Sequence, residues 1–148
     1  MGLKFDKSSL RTLEANLQKF SRSALEGGAK GLSEHAKDVM NKSQAEVPAV
    51  TGTLKGSNFI EAPSVNENTK EVSIKLGYGG PADTMNPVTG EMASQYMIAV
   101  HEVLHARHPI GKAKFLEDPV MNSAPELEAK VSMFVKEKMA KTVVRRLK

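Results

Sequence analysis

Residues 96–120 read YMIAVHEVLHARHPIGKAKFLEDPV and constrain the fold more than any other stretch of the chain. Within them, residues 101–105 (HEVLH) match the H-E-x-x-H pattern of zinc peptidases, which places two histidines one helical turn apart. Zinc binding by such a pair requires a helix that continues past both histidines. Pro109 disfavours helical geometry at His108, so we expect any helix here to end near that point. The apolar residues before the motif fit a strand as well as a buried helix.

As a zinc peptidase, the chain would use His101 and His105 as metal ligands and Glu102 as the catalytic base. A catalytic zinc also needs a third protein ligand, and the downstream residues are out of register with the longer metzincin motif. The carboxylates that could serve lie beyond the Pro-Gly break, where their direction is unconstrained: Glu117, Asp118 and Glu126. Three fixed letters match often by chance. We therefore expect no catalytic residue, no bound metal and no cofactor, with the zinc peptidase as the alternative.

Composition indicates one globular domain spanning residues 1–148, with 40% hydrophobic but only 5% aromatic residues. The eight methionines supply adaptable apolar volume in place of aromatic side chains. The chain has no cysteine, which excludes disulfides and thiolate metal sites. No segment has the apolar length of a signal peptide or a transmembrane helix, so we expect no association with a membrane.

The N-terminal third predicts a helix over residues 6–46, because apolar residues recur at steps of three and four. Gly27-Gly28 and Gly31 interrupt this pattern, so we expect two pieces or a kink. Pro48 ends the helix and begins a turn.

The middle of the chain predicts two strands, at residues 54–62 and 70–76, joined by a hairpin loop at 63–69. A long Gly/Pro-rich loop follows at residues 79–95, and loops of this length are usually mobile or functional. Residues 96–103 are a third strand or a short helix. We therefore predict an α+β fold in which two long helices flank a small antiparallel sheet of three to four strands.

The C-terminal segment gives the clearest helix signal. Ser123-Ala124-Pro125-Glu126 reads as a capping box, and an apolar residue then recurs every four positions from Leu127 to Leu147. Basic residues accumulate in this helix and account for much of the net charge of +4. Those that could contact DNA or a neighbouring subunit are Lys136, Lys141, Arg145 and Arg146. The same charges would also suit a solvated helix C-terminus. A small DNA-binding module is the third hypothesis, although no helix-turn-helix or stacking platform is recognisable.

Several short motifs occur in a suggestive order. They comprise Ala45, Pro48, Thr51, Gly52 and Leu54 at the turn, then Tyr96, His101-Glu102, His108-Pro109, Gly111, Lys114-Phe115-Leu116-Glu117 and Pro119. In this order and spacing, residues 30–122 resemble the tail-component or neck family of long-tailed bacteriophages. Members of that family are tail-completion proteins, which join the head-side connector to the tail.

The resemblance implies a structural virion protein, assembled in the host bacterial cytoplasm and located in the phage neck. It implies a homo-oligomeric ring, a hexamer or a dodecamer, around the DNA channel. The ring would contact the portal or connector and the tail terminator or tail tube proteins, and its lumen would contact DNA transiently.

In such a protein we expect the matched residues to have structural roles. Thr51-Gly52 would make a tight turn, and Phe115 and Leu116 would close the core. Pro119 would halt a strand before the last helix. A Gly52→Val substitution should then impair folding and ring formation.

Overall fold

A computed structural model describes residues 6–104 and 109–144, and the fold is α+β. The helices are α1 (Lys7–Glu46), α2 (Thr53–Gly56), α3 (Ala93–Glu102) and α4 (Glu117–Val144). The strands are β1 (Asn58–Ile60), β2 (Ser64–Asn66), β3 (Glu71–Ser73) and β4 (Leu76–Tyr78), and a single 3-10 turn spans Gly80–Ala82. Within the described ranges, no helix combines the length and apolar character needed to cross a bilayer.

Helix α1 is continuous over 40 residues, so the expectation of two pieces was wrong. Two of the three glycines that suggested a break, Gly27 and Gly31, lie instead where α4 packs antiparallel against α1. A Cβ atom on Gly27 would stand 2.7 Å from the Cα of Val135, and one on Gly31 would stand 2.7 Å from the Cα of Val131. Glycine is therefore used here to bring two helix backbones together rather than to end a helix.

Polar contacts fix the register of α1 and α4 on either side of this close approach. Near one end, the hydroxyl groups of Ser23 and Thr142 are 2.8 Å apart. Further along, Lys138 pairs with Glu26 at 2.8 Å, and Lys130 pairs with Asp38.

The strands form one bent hairpin rather than a continuous sheet. β1 pairs with β4 and β2 pairs with β3, both antiparallel. Between the two pairs, residues 61–63 on one arm face residues 74–75 on the other, so the register shifts by one, as in a bulge. The turn occupies residues 67–70, where the Asn66 side chain accepts hydrogen bonds from the backbone N–H groups of Asn68 and Thr69. The predicted hairpin exists, with a later and shorter loop.

The core lies at the C-terminal end of α1, where the hairpin, α2 and α3 meet. Its buried residues are Met40, Val47, Leu54, Tyr78, Ala93 and Phe115. Inside it, the hydroxyl groups of Ser43 and Tyr78 are 2.8 Å apart. Burial raises the pKa of the Tyr78 hydroxyl, so this hydrogen bond joins two neutral groups.

Two sequence predictions about the C-terminal half need correction. Helix α4 begins at Glu117, six residues before the predicted cap at Ser123, and Pro125 lies inside it. The buried Ser123 hydroxyl donates a hydrogen bond to the Pro119 carbonyl one turn earlier instead of capping. Pro119 itself lies in the first turn of α4, where a proline costs no hydrogen bond, so it does not halt a strand. Residues 93–102 form helix α3, which selects the helical alternative for that segment.

Candidate functional site

The His-Glu pair of the HEVLH sequence lies in the last turn of α3. The loop before α3 anchors the start of this helix: the Asp83 carboxylate accepts hydrogen bonds from the backbone N–H of Ser94, at 3.0 Å, and from its hydroxyl, at 2.5 Å. These hydrogen bonds lower the pKa of Asp83. Val103 has extended backbone angles, so α3 ends at Glu102. A zinc-peptidase helix would have to continue through residue 105. His105 lies outside the described residues.

His101 uses both ring nitrogens for contacts within the chain. Nδ1 lies 2.8 Å from a carboxylate oxygen of Glu102, and Nε2 accepts a hydrogen bond of 3.3 Å from the backbone N–H of Glu117. The ring also packs edge-to-face on Phe115, with centroids 4.9 Å apart. A neutral imidazole with its proton on Nδ1 satisfies both polar contacts. His101 thus supplies an acceptor to the first turn of α4, whose N–H groups have no partner inside the helix.

Lys114 lies between the two carboxylates of this region. Its ammonium group is 2.5 Å from Glu102 and 2.8 Å from Glu117, and its backbone N–H donates to the carbonyl of His101 at 2.8 Å. The hydrogen bond from Lys114, followed by that from His101, lowers the pKa of Glu102. The same carboxylates raise the pKa of Lys114. The pair therefore stays ionised at neutral pH.

A second lysine extends the arrangement to α1. Lys112 pairs with Asp118 at 2.7 Å and with Glu46 at 3.1 Å, and both contacts raise its pKa. Its backbone N–H also donates to the carbonyl of Glu46 at 2.9 Å. The connection between α3 and α4 is thus tied to the end of α1. We call the set His101, Glu102, Lys112, Lys114 and Glu117 the junction, because it joins the ends of α1 and α3 to the start of α4.

Gly111 brings the backbone of this connection against the end of α1. Its φ of 85° favours glycine, and a Cβ atom there would stand only 2.5 Å from the Glu46 carbonyl oxygen. This position therefore requires glycine for two independent reasons.

The junction contains the best candidate metal ligands in the described part of the chain. Ligand atoms of His101, Glu102 and Glu117 lie within 4.8 Å of one another. The three groups nevertheless fit a metal poorly, because the Lys114 ammonium already lies between the carboxylates and the N–H of Glu117 already uses the free nitrogen of His101. Binding a metal would require displacement of Lys114. The ion pairs of the junction therefore hold the ends of α1 and α3 against the start of α4.

The remaining predicted site residues are spread over the molecule. Gly52 has a φ of 76°, which suits glycine, and the adjacent Thr51 is exposed, with its hydroxyl 2.9 Å from that of Thr53. Pro48 is buried beside the core, Phe115 is only 2% exposed and Leu116 packs partly buried against the core.

The two described lysines among the candidate DNA contacts lie on different faces of α4. Lys136 is exposed, whereas Lys141 pairs with Glu137 at 2.5 Å. Five residues of helix rotate by about 140° beyond a full turn, so Lys136 and Lys141 point in different directions. Arg145 and Arg146 lie outside the described residues.

Sequence reasoning missed the partners of the His-Glu pair. Lys112 and Lys114 carry the ion pairs that close the junction, and they occur in the charged segment KAKFLED at residues 112–118. Two lysines followed closely by two carboxylates were the available signal. It could not reveal that the segment folds back beside His101.

Two cavities open near the functional candidates. One of about 330 Å³ lies beside His101, between the hairpin and α3, and is lined chiefly by Phe59, Tyr78, Met97, Phe115 and Leu116. A larger groove of about 660 Å³ runs between α1, α4 and the tip of the hairpin.

No protein-family model matches the sequence, and neither a curated protein nor a solved structure gives a significant match.

Proposed function

We propose that this chain is a structural protein of the bacteriophage neck that forms a ring between the portal and the tail. The observation that carries the proposal is that the matched motifs, although distant in sequence, pack into one unit. Leu54 and Phe115 belong to the same buried cluster, and Tyr96 packs against it. Gly111 packs against the backbone of residues 46–48. This packing supports structural rather than catalytic roles for the matched residues.

The junction supports a non-catalytic role for the His-Glu pair. His101 holds the first turn of α4, and Glu102 is held by Lys114. A general base needs a free carboxylate near its substrate, and a ligand histidine needs a free nitrogen. In the described part of the chain, both groups are instead engaged with α4 and the segment that precedes it.

In this role the ring would be a hexamer or a dodecamer, built in the host cytoplasm and retained in the virion. Its partners would be the portal or connector on one side and the tail terminator or tail tube proteins on the other. DNA would pass through the lumen with only transient contacts, for which α4 residues such as Lys136 are candidates.

Native mass spectrometry of the full chain, alone and mixed with a phage portal, tests the proposal. We expect a metal-free ring of six or twelve copies, formed by the chain itself or on the portal, and the same mass after chelation. Failure to form any ring in either sample would contradict the proposal. Gly52→Val should reduce ring formation, because a β-branched residue is strained at a φ of 76°. The nearby Gly56→Val serves as a matched control without a positive φ.

The second candidate is a zinc peptidase with His101 and His105 as ligands and Glu102 as the base. One observation favours it: a ligand atom of Glu117, a candidate third ligand, lies within 4.8 Å of one of His101. The enzyme would hold about one zinc per chain and lose activity in Glu102→Gln. The structural protein has no activity to lose and should keep its ring mass in that variant. One tightly bound zinc per chain, together with peptidase activity, would favour the enzyme over the ring.

A further inference from the structure

The N-terminal third of α1 carries an apolar stripe that faces solvent. Leu10, Leu13 and Leu17 are 48%, 54% and 60% exposed. Helix α4 runs antiparallel to α1, and in its described part, which ends at Val144, the Thr142 hydroxyl contacts that of Ser23. Residues 7–19, which we call the overhang, precede this contact in α1 and span about 20 Å at the usual helical rise. Contiguous exposed leucines on a helix mark an interaction surface.

The same face of α1 continues into the groove between α1, α4 and the hairpin. Leu10, Leu17 and Ala24 are seven residues apart, so they lie along one side of the helix. The groove holds about 660 Å³, and its lining is mostly apolar or small: Ser21, Ala24, Gly28, Leu32, Val72, Leu127, Val131 and Val135. The exposed leucines and this mostly apolar groove thus adjoin on a single face of α1.

Packing within the described residues does not require a glycine at position 28. A Cβ atom at this position would meet only the Val72 side chain, at an ordinary contact distance of 3.8 Å. Gly27 and Gly31 differ, since a Cβ atom on either would collide with the backbone of α4. Glycine disfavours a helix, so a glycine that internal packing does not require indicates close approach by something outside the chain.

We infer that a second copy of this chain packs antiparallel on α1, so that the overhang of each copy lies in the groove of the other. In this arrangement Leu13 faces Gly28 and Leu17 faces Ala24. Leu10 reaches Leu32 at the far end of the groove. The two-fold axis passes beside Ser21, so both halves of the contact are identical.

Charges along the two surfaces match in this register. Glu14 lies between Leu13 and Leu17 on the overhang, and Lys70 lines the groove on the hairpin side, as does Ser21 on the α1 side. At the other end, Lys7 approaches the part of the groove lined by Glu128. Opposite charges thus face each other at both ends of the contact, which favours the antiparallel direction.

The buried surface area favours a symmetric dimer, with both overhangs in both grooves, over a contact of one overhang with one groove. Half the lateral surface of a helix about 20 Å long and about 11 Å wide is about 350 Å². Each copy contributes one overhang and one groove, so the pair buries about 1,400 Å², within the range of stable interfaces. A single overhang in a single groove would bury only about 700 Å², the size of a weak contact. The dimer closes on itself and does not rest on the proposed ring function.

Sedimentation of the full chain across a concentration series tests the pairing. At the low end of the series, before any ring assembles, we expect a monomer–dimer equilibrium whose Kd rises at least tenfold in Leu17→Asp. The matched control is Val88→Asp, which places the same charge on a valine that is 79% exposed and lies outside α1. Its Kd should not change, and circular dichroism should show equal helix content in both variants. A wild-type chain that remains monomeric, or a Leu17→Asp variant that pairs normally, would overturn the inference.

The absence of natural cysteine allows the two-fold axis to be tested directly. Under mild oxidation, Ser21→Cys should form a covalent dimer, because the axis brings Ser21 next to its own copy. Ser9→Cys is the matched control, since in this register residue 9 faces Leu32 and not itself. If Ser9→Cys cross-links as readily as Ser21→Cys, or if Ser21→Cys gives no dimer, the antiparallel arrangement is wrong.

Charge reversal tests the register independently. Glu14→Lys and Lys70→Glu should each raise the dimer Kd by about two- to fivefold, the usual range for an exposed ion pair. The double variant should recover most of the loss, because it restores opposite charges in exchanged positions. No recovery in the double variant would show that these two residues do not meet.

Discussion

Replacing Gly27 by alanine measures how closely α1 and α4 must approach. The new Cβ atom would lie 2.7 Å from the Cα of Val135 and 2.9 Å from the Phe134 carbonyl oxygen. Both are backbone atoms, so no side-chain rotation relieves the clash, and the helices must separate by about 1 Å to regain ordinary contact distances. Overpacking of this kind costs about 1–3 kcal/mol, and we expect the upper half of that range.

Alanine also favours the helix over glycine by about 1 kcal/mol, which masks part of the cost. Gly28→Ala supplies the matched control, because it makes the same gain and meets only Val72, at 3.8 Å. The difference in unfolding free energy between the variants isolates the packing cost, which should be about 2–3 kcal/mol. Urea unfolding followed by circular dichroism, at low protein concentration, measures it. A Gly27→Ala variant as stable as Gly28→Ala would refute the close-packing argument.

Three further outcomes are expected. Gly111→Ala should lower the unfolding free energy by about 3 kcal/mol, because its φ is 85° and its Cβ atom would meet the Glu46 carbonyl; a loss under about 1 kcal/mol in thermal melts would contradict this. Burial lowers the pKa of His35 in the folded chain, so the free energy of unfolding should decrease as the pH falls below 6.5, the usual pKa of histidine. His35→Leu should flatten this dependence of stability on pH, and an unchanged pH dependence would show that His35 does not cause it. Lys114→Met should return the pKa of Glu102 towards its usual value of 4.5 in an NMR titration; an unchanged pKa would show that the contact does not form.

The stability that Glu102 contributes has a defined direction with pH. Its pKa lies below the usual 4.5 in the folded chain, so the contribution is complete above that value and is lost as the pH falls through the lowered pKa. The Lys114→Met variant should show less of this acid sensitivity, because only the hydrogen bond from His101 then lowers the pKa of Glu102.

Local patterns predicted much of the secondary structure. The three- and four-residue spacing in α1, the alternation around Val72 and the four-residue stripe from Leu127 each gave the right element type. Element boundaries were predicted less well. Pro125 was taken as a start signal for α4, although the helix begins eight residues earlier, at Glu117. The residues next to a proline do not reveal whether it lies at the start of a helix or inside one.

At the candidate site, too, the sequence indicated the type of site but not the contacts within it. The letters HEVLH suggested a metal site and the resemblance suggested a scaffold, but neither pattern identifies the partner of an individual side chain. That partner is set by contacts between residues far apart in sequence. Lys114, twelve residues after Glu102, returns beside it because Gly111 allows the chain to pass close to the end of α1.

The sequence by itself determined the two long helices, the hairpin, the absence of thiol chemistry and the excess of basic residues, because each depends on composition or short-range spacing. The tertiary structure alone decided that Gly27 and Gly31 join helices instead of breaking one, and that His101 supports α4. These outcomes depend on which backbones come within a few ångströms of each other. That proximity results from packing the whole chain at once, and no local pattern encodes it.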